Sequence, residues 1–211
     1  MKTALTRRHA LGLVAWTGVA AALPVAGPAR AADASAASAR AFVNDFGLRL
    51  IAIVNSNRSL SEKKVAILPL LQAHVDMDAI GRYCLGRYWR VATPEQQSRY
   101  LALFHQVLLN AITDKIGDYR GVTFTINGTS MVGADQAVDT VINRPEQPAA
   151  NTQWIVSSSS GQPKVVDVVG EGTSLRLTQR QDYASFIARH NGSVDALLHA
   201  LDHQVAAHAS P

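Results

Sequence analysis

The sequence predicts an α+β fold: helices at the N-terminal end, a four-stranded and mainly antiparallel sheet in the middle, and helices at the C-terminal end. Three observations carry this. Apolar residues recur at helical spacing as far as Gly121, then alternate singly with polar ones, then return to helical spacing from Asp182. The segments joining the predicted strands are short, which suits hairpins rather than crossovers. Helices and strands are grouped rather than interleaved, so a βαβ fold is not expected. No Gly-rich phosphate loop appears, and a nucleotide fold is not expected either.

The chain opens with Lys2, Arg7 and Arg8, an uncharged run from Ala10 to Gly27, and the small-x-small site Ala29-Arg30-Ala31. This is the pattern of an export signal occupying residues 1–31 and removed near Ala31. Thr6-Arg7-Arg8-His9 resembles a twin-arginine signal, although two arginines also suit an ordinary secretory n-region, so both routes stay open. The signal carries four basic residues (Lys2, Arg7, Arg8, Arg30) and no acidic one. Removing them turns 20 Lys+Arg against 16 Asp+Glu into 16 against 16. The pI of about 9.5 therefore belongs largely to the precursor, and a general electrostatic case for nucleic acid disappears.

Residues 32–40 read as a small, polar, flexible leader, residues 41–206 as a single domain, and residues 207–211 as a tail. Phe42 to Val54 carries an amphipathic helical pattern. Ser59 with Glu62 forms a capping-box pattern, and the helix after it places Val65, Leu68 and Leu71 on one face. Pro69 is expected to kink or stop it. Asp76 is an N-cap for a short helix ending at Gly86. Thr93-Pro94-Glu95-Gln96 starts the longest helix, whose stripe runs Tyr100, Leu103, Phe104, Val107, Leu108, Ala111, Ile112, Ile116, Tyr119. Strands are expected at Val122–Ile126, Val138–Ile142, around Trp154 and Val156, and from Val165 to Val169, the last resuming over Ser174–Leu177. Two closing helices follow, Asp182–His190 and Val194–Ala206, separated by Asn191-Gly192.

The segment CLGRYWRVATPEQQSRY (Cys84 to Tyr100) could be a cationic-aromatic patch for phosphate or a structural corner. The stop at Gly86 and the start at Thr93 favour the corner, with Tyr88 and Trp89 packing inward and Arg87 and Arg90 left exposed towards a partner. Cys84, the single cysteine, makes no intramolecular disulfide and reads as a small buried residue. His199 and His203 stand four apart on a helix, a spacing able to bind zinc, but no upstream ligand accompanies them. His74 and His105 read as polar helix positions. Asp167 and Glu171 could act as an acid/base pair or as hydrogen-bonded strand-end carboxylates. No catalytic motif appears, and no enzyme is expected.

The block from Ile67 to Gly121 contains Val75-Asp76-Met77-Asp78, then Leu85-Gly86-Arg87-Tyr88-Trp89-Arg90, then Ala92-Thr93-Pro94-Glu95-Gln96. A helix with Phe104, Leu108 and Leu109 follows and ends at Tyr119 and Gly121. Downstream come Val166-Asp167-Val168 and Glu171-Gly172-Thr173-Ser174-Leu175. With these motifs the chain resembles, over roughly residues 40–202, the MlaC-type exported phospholipid-binding family of the Mla lipid-asymmetry pathway, also called the toluene-tolerance family. It departs from the family pattern at Gln162-Pro163-Lys164, at the four serines after the third strand, and at Gly170, where a bulkier residue is expected.

The resemblance implies a soluble periplasmic carrier with no cofactor beyond its bound phospholipid. Such a carrier shields acyl chains and shuttles lipid between an inner-membrane lipid ABC transporter complex and an outer-membrane lipoprotein complex. Hopanoid-associated members look similar. An apolar slot between sheet and helices would serve that role, and its candidate lining is Leu71, Phe104, Leu108, Tyr119, Val141, Trp154, Val156, Val166, Val168 and Leu175. The competing readings are an envelope adaptor with a fully closed core and an exported hydrolase centred on Asp167.

Overall fold

The computed structural model describes residues 28–209. Most of the expected export signal, residues 1–27, lies outside the described residues. Helix α1 spans Pro28–Val54, so residues 32–40 are helical rather than a flexible leader. Alanine is the strongest helix former, and this alanine-rich stretch is held from outside as well. Ala39 and Val43 are buried against Val138 and Val156 of the sheet, and Arg40 Nη2 donates to the Ile126 carbonyl at 3.2 Å.

Helix α2 (Leu60–His74) starts at the expected capping box, where Glu62 N donates to Ser59 Oγ and Ser59 N to Glu62 Oε2. It neither stops nor breaks at Pro69. The carbonyl that Pro69 cannot satisfy belongs to Val65, a residue 70 % exposed, so water is at hand. The buried face is Lys63, Ile67, Leu70 and Leu71 rather than the expected stripe through Val65. Lys63 Nζ donates to the terminal carbonyl of α1, Val54 O, at 2.6 Å, a cation where the helix dipole favours one.

Helix α3 (Met77–Leu85) is N-capped by Asp76 and ends at Gly86, whose φ of 60° suits glycine. Gly86–Arg90 forms a 3-10 turn with Tyr88 buried, Trp89 half-buried, and Arg87 and Arg90 exposed. This is the corner read from the sequence. Helix α4 (Pro94–Asp114) begins with the Thr93–Gln96 capping box. It is shorter than its apolar stripe, which continues through a 3-10 turn at Ile116–Tyr119.

Strands β1 (Thr123–Val132), β2 (Asp135–Asn143), β3 (Ala150–Ser157), β4 (Lys164–Gly170) and the two-residue β5 (Thr173–Ser174) form one antiparallel sheet in sequence order. The sheet has five strands rather than four. The fourth expected strand does not resume, because Ser174 is the N-cap of α5 (Leu175–Arg189), its Oγ accepting from Leu177 N. Helix α6 (Val194–Ala209) closes the chain. No helix among the described residues is long and apolar enough to cross a membrane.

The apolar stripe of the long helix feeds two separate cores. Tyr100, Leu103, Phe104 and Val107 pack with α3, α5 and α6 around Ile187, Leu198 and Leu201. Ile116 instead joins Phe46, Ile67 and Val122 between α1, α2 and the sheet, with Ile112 and Tyr119 against them. Gly81 permits close α3–α4 contact: a Cβ there would lie 2.9 Å from Phe104 Cδ1. The Tyr100 hydroxyl donates to the Gly81 carbonyl at 2.9 Å. Burial raises the Tyr100 and Tyr183 phenols, which stay neutral.

Cys84 is 1 % exposed in this core, and burial pushes its thiol from 9.0 up to about 12. The thiolate is the reactive form, so the folded protein is expected to resist iodoacetamide at pH 8 and to react once denatured. Native-state alkylation at the rate of a free thiol would show that the helical core opens. Because the folded pKa is the higher one, this group's contribution to stability is whole below pH 9 and is lost as pH rises towards 12.

An apolar cavity between the sheet and the N-terminal helices

A cavity of about 490 Å³ lies between the inner face of the sheet, helices α1 and α2, and the chain linking α4 to β1. It falls within the roughly 300–1,000 Å³ usual for ligand pockets. Helix α1 contributes Val43, Gly47, Leu50, Ile51 and Val54, the residues of one face at helical spacing. Helix α2 contributes Ile67. The end of α4 and its extension contribute Ile112, Ile116 and Tyr119, and Val122 follows. Asn55 holds this end together, its Oδ1 accepting from Gly121 N at 2.7 Å and its Nδ2 donating to Val122 O.

Strand register decides which sheet residues enter. Phe124 stands opposite Ile142, Ile142 opposite Ala150, Thr140 opposite Thr152, and Trp154 opposite Val168. All of these line the cavity. Gly47 makes room for Phe124: a Cβ on Gly47 would lie 2.6 Å from the ring. Trp154 stacks edge-on against Phe46 at 5.8 Å. Its Nε1 donates to Thr140 Oγ1, which itself donates to Thr152 O. The buried polar atoms of this wall therefore bond one another.

Of the ten residues expected to line an apolar slot, Tyr119, Trp154, Val168 and Leu175 do so, Leu175 from a rim position that is 58 % exposed. Six do not. Phe104 is buried in the helical core and Leu108 packs against it. Leu71 and Val156 are fully packed beside the cavity, in the α2 cluster and the Ala39–Val43 cluster. Val141 lies between Thr140 and Ile142 and so faces away. Val166 is turned out by a β-bulge: Ile155 pairs with Asp167 while Val156 pairs with Val165, leaving Val166 as the extra residue. It packs with Ala137 and Ile155 on the other face of the sheet. The sequence reading missed the α1 face, Phe124 and Ile142; the helical period with Gly47 inside it, and the simple alternation of β1, were the available signals.

Gly170 lines the cavity, and a Cβ there would meet nothing within 4 Å. The glycine found in place of a bulkier residue thus leaves open volume. The polar lining residues are Lys115, Asn151, Glu171 and the two threonines, with the polar tips of Tyr119 and Trp154 beside them.

Asp167 and Glu171 do not form an acid/base pair. Asp167 is buried on the outer side of β4 and accepts from Val168 N, Ser174 Oγ and Arg176 N at 2.8, 2.6 and 3.1 Å. Arg176 Nε lies 3.4 Å from it. Glu171 accepts from Asn151 N at 2.6 Å. Both carboxylates bind the β4–α5 connection to its surroundings. Asp167→Ala strands these donors and the half-buried Arg176, and is expected to cost about 2–3 kcal/mol. Chemical denaturation checks this, and an unchanged midpoint would remove the anchoring role. His199 and His203 stand on α6, and among the described residues no group of three His, Cys, Asp or Glu side chains is placed to hold a metal ion.

These features define an α+β protein whose sheet and N-terminal helices enclose an apolar cavity. Comparison with known proteins gives the family. The family described as "MlaC protein" matches residues 44–203, most of the chain, and the chain belongs to that family. Its fold is also that of a solved phospholipid-binding protein from Ralstonia solanacearum, determined in complex with a phospholipid. The match has a TM-score of 0.72 at 22 % identity and covers 82 % of this chain and 99 % of the other.

Proposed function

We propose that this protein is a periplasmic carrier that shelters the acyl chains of a phospholipid in the cavity between α1, α2 and the sheet. It shuttles the lipid between an inner-membrane ABC transporter complex and an outer-membrane lipoprotein complex, after export and removal of residues 1–31. The observation that carries the reading is the cavity itself, apolar on every wall and polar only at a few positions. Each methylene withdrawn from water contributes about 0.8 kcal/mol, so an acyl chain is held by area alone. No reacting group is required, and the two candidate carboxylates are engaged in structural bonds. Membership of the MlaC family and the fold shared with a phospholipid complex support the same assignment.

A closed-core envelope adaptor would have no such cavity. Solvent extraction of protein purified from cells, followed by mass spectrometry, is expected to yield phospholipid in stoichiometric amount. Protein that carries no lipid, and takes none up from vesicles, would overturn the carrier assignment. Recovery of a hopanoid instead would redirect the assignment to that lipid class.

A further inference from the structure

We propose that Arg144, backed by Lys115, forms the site that receives the phosphate of the bound lipid at the Tyr119 end of the cavity. This rests on the carrier reading and adds to it a fixed orientation of the ligand. Arg144 follows Ile142 by two positions at the end of β2, and Ile142 lines the cavity. Its guanidinium lies 5.5 Å over the ring of Tyr119, another lining residue. That cation–π contact satisfies none of its hydrogen-bond donors. Nε is buried and has no hydrogen-bond partner within the chain, and among the described residues no carboxylate pairs with Arg144.

A buried charged donor without an acceptor is costly, and native chains rarely keep one without a use. A phosphodiester answers this chemistry. Its oxygens accept from the planar guanidinium fork in two places at once. Lys115 is the cation that lines the cavity itself, four residues before Tyr119. Its ammonium is held only loosely, 3.6 Å from Asp118 on an exposed side chain, and so remains able to approach an anion. Glu171, the carboxylate among the lining residues, is held to Asn151 N and disfavours a phosphate where it stands. A lipid with its chains against Ile142, Val168 and Trp154 is therefore oriented with its phosphate beside Tyr119.

The test loads delipidated protein from vesicles of dioleoyl-phosphatidylglycerol and, separately, from vesicles doped with dioleoylglycerol, which has the same chains without the phosphate. Retained lipid is measured after gel filtration. The wild-type protein is expected to retain the phospholipid about tenfold better, the scale of one charge-assisted hydrogen-bonded site near water. Arg144→Met is expected to abolish that preference while dioleoylglycerol retention stays unchanged, and Arg144→Lys to restore part of it. Equal phospholipid retention by wild type and Arg144→Met, with dioleoylglycerol bound normally by both, overturns the head-group site and leaves the carrier reading intact. Failure of the wild type to hold either lipid overturns the carrier reading itself. A free-anion site would show as binding of inorganic phosphate to the delipidated wild type, lost in Arg144→Met, with phospholipid and dioleoylglycerol retained equally by the wild type, and that result overturns the lipid assignment.

Discussion

Val168→Glu is expected to empty the cavity, whereas Val166→Glu, two residues earlier on the same strand, is expected to unfold the protein. Val168 is only half-buried, stands opposite Trp154 and faces the cavity. A carboxylate there meets open space and can draw in water, so the fold survives. An acyl chain, however, would have to lie against a charge. Lipid retention should fall at least about tenfold, since stripping even part of the hydration of a carboxylate costs several kcal/mol. Val166 is 4 % exposed and packed against Ala137 and Ile155 with α3 alongside. A glutamate there has neither room nor partner, and the penalty is comparable to the roughly 5–15 kcal/mol that holds a domain together. Far-UV circular dichroism with lipid mass spectrometry separates the outcomes. A folded Val166→Glu that has lost lipid, beside a Val168→Glu that keeps it, would mean that the bulge in β4 is misplaced.

Phe104→Ala is expected to destabilise the protein by about 3–5 kcal/mol, the usual cost of deleting a buried phenyl ring. For a chain of this size that lowers the thermal midpoint on the order of 10 °C. Phe104 is 3 % exposed, its ring is 5.7 Å from that of Tyr100, and it fills the space above Gly81. None of these contacts reaches the cavity, so below the midpoint the variant should hold lipid as the wild type does. Scanning calorimetry and lipid quantification on the same sample check both halves. A normal midpoint with lost lipid would place Phe104 in the binding site and merge the two cores into one.

The three variants mark what is legible along the chain. Capping signals are legible because they are local: the Ser59–Glu62 and Thr93–Gln96 boxes each close within three residues. Helix period and strand alternation are similarly local, and they separate the helical segments from the meander. The helix over residues 32–40 is not legible because small residues carry no stripe; its order comes from Ala39 lying against a sheet formed a hundred residues later. Leu175–Leu177 is helix rather than the expected strand: the apolar spacing of so short a segment fits both periods, and Ser174 capping a helix decides between them. Val166 and Val168 are indistinguishable by alternation; only pairing with β3 reveals the extra residue.

By itself the sequence determined the α+β class, most helix starts, the corner at Gly86–Arg90 and, through the RYWR and VDV blocks, the family. Only the tertiary structure decided where the apolar residues go. One helical stripe from Tyr100 to Tyr119 serves a packed helical bundle in its first half and the cavity wall in its second. Periodicity reports that a residue leaves water, because the free energy of burial depends on area and not on neighbours. Whether it meets another side chain or open space depends on how elements distant in sequence fit together, as where Gly47 admits Phe124 and Gly170 leaves volume unfilled.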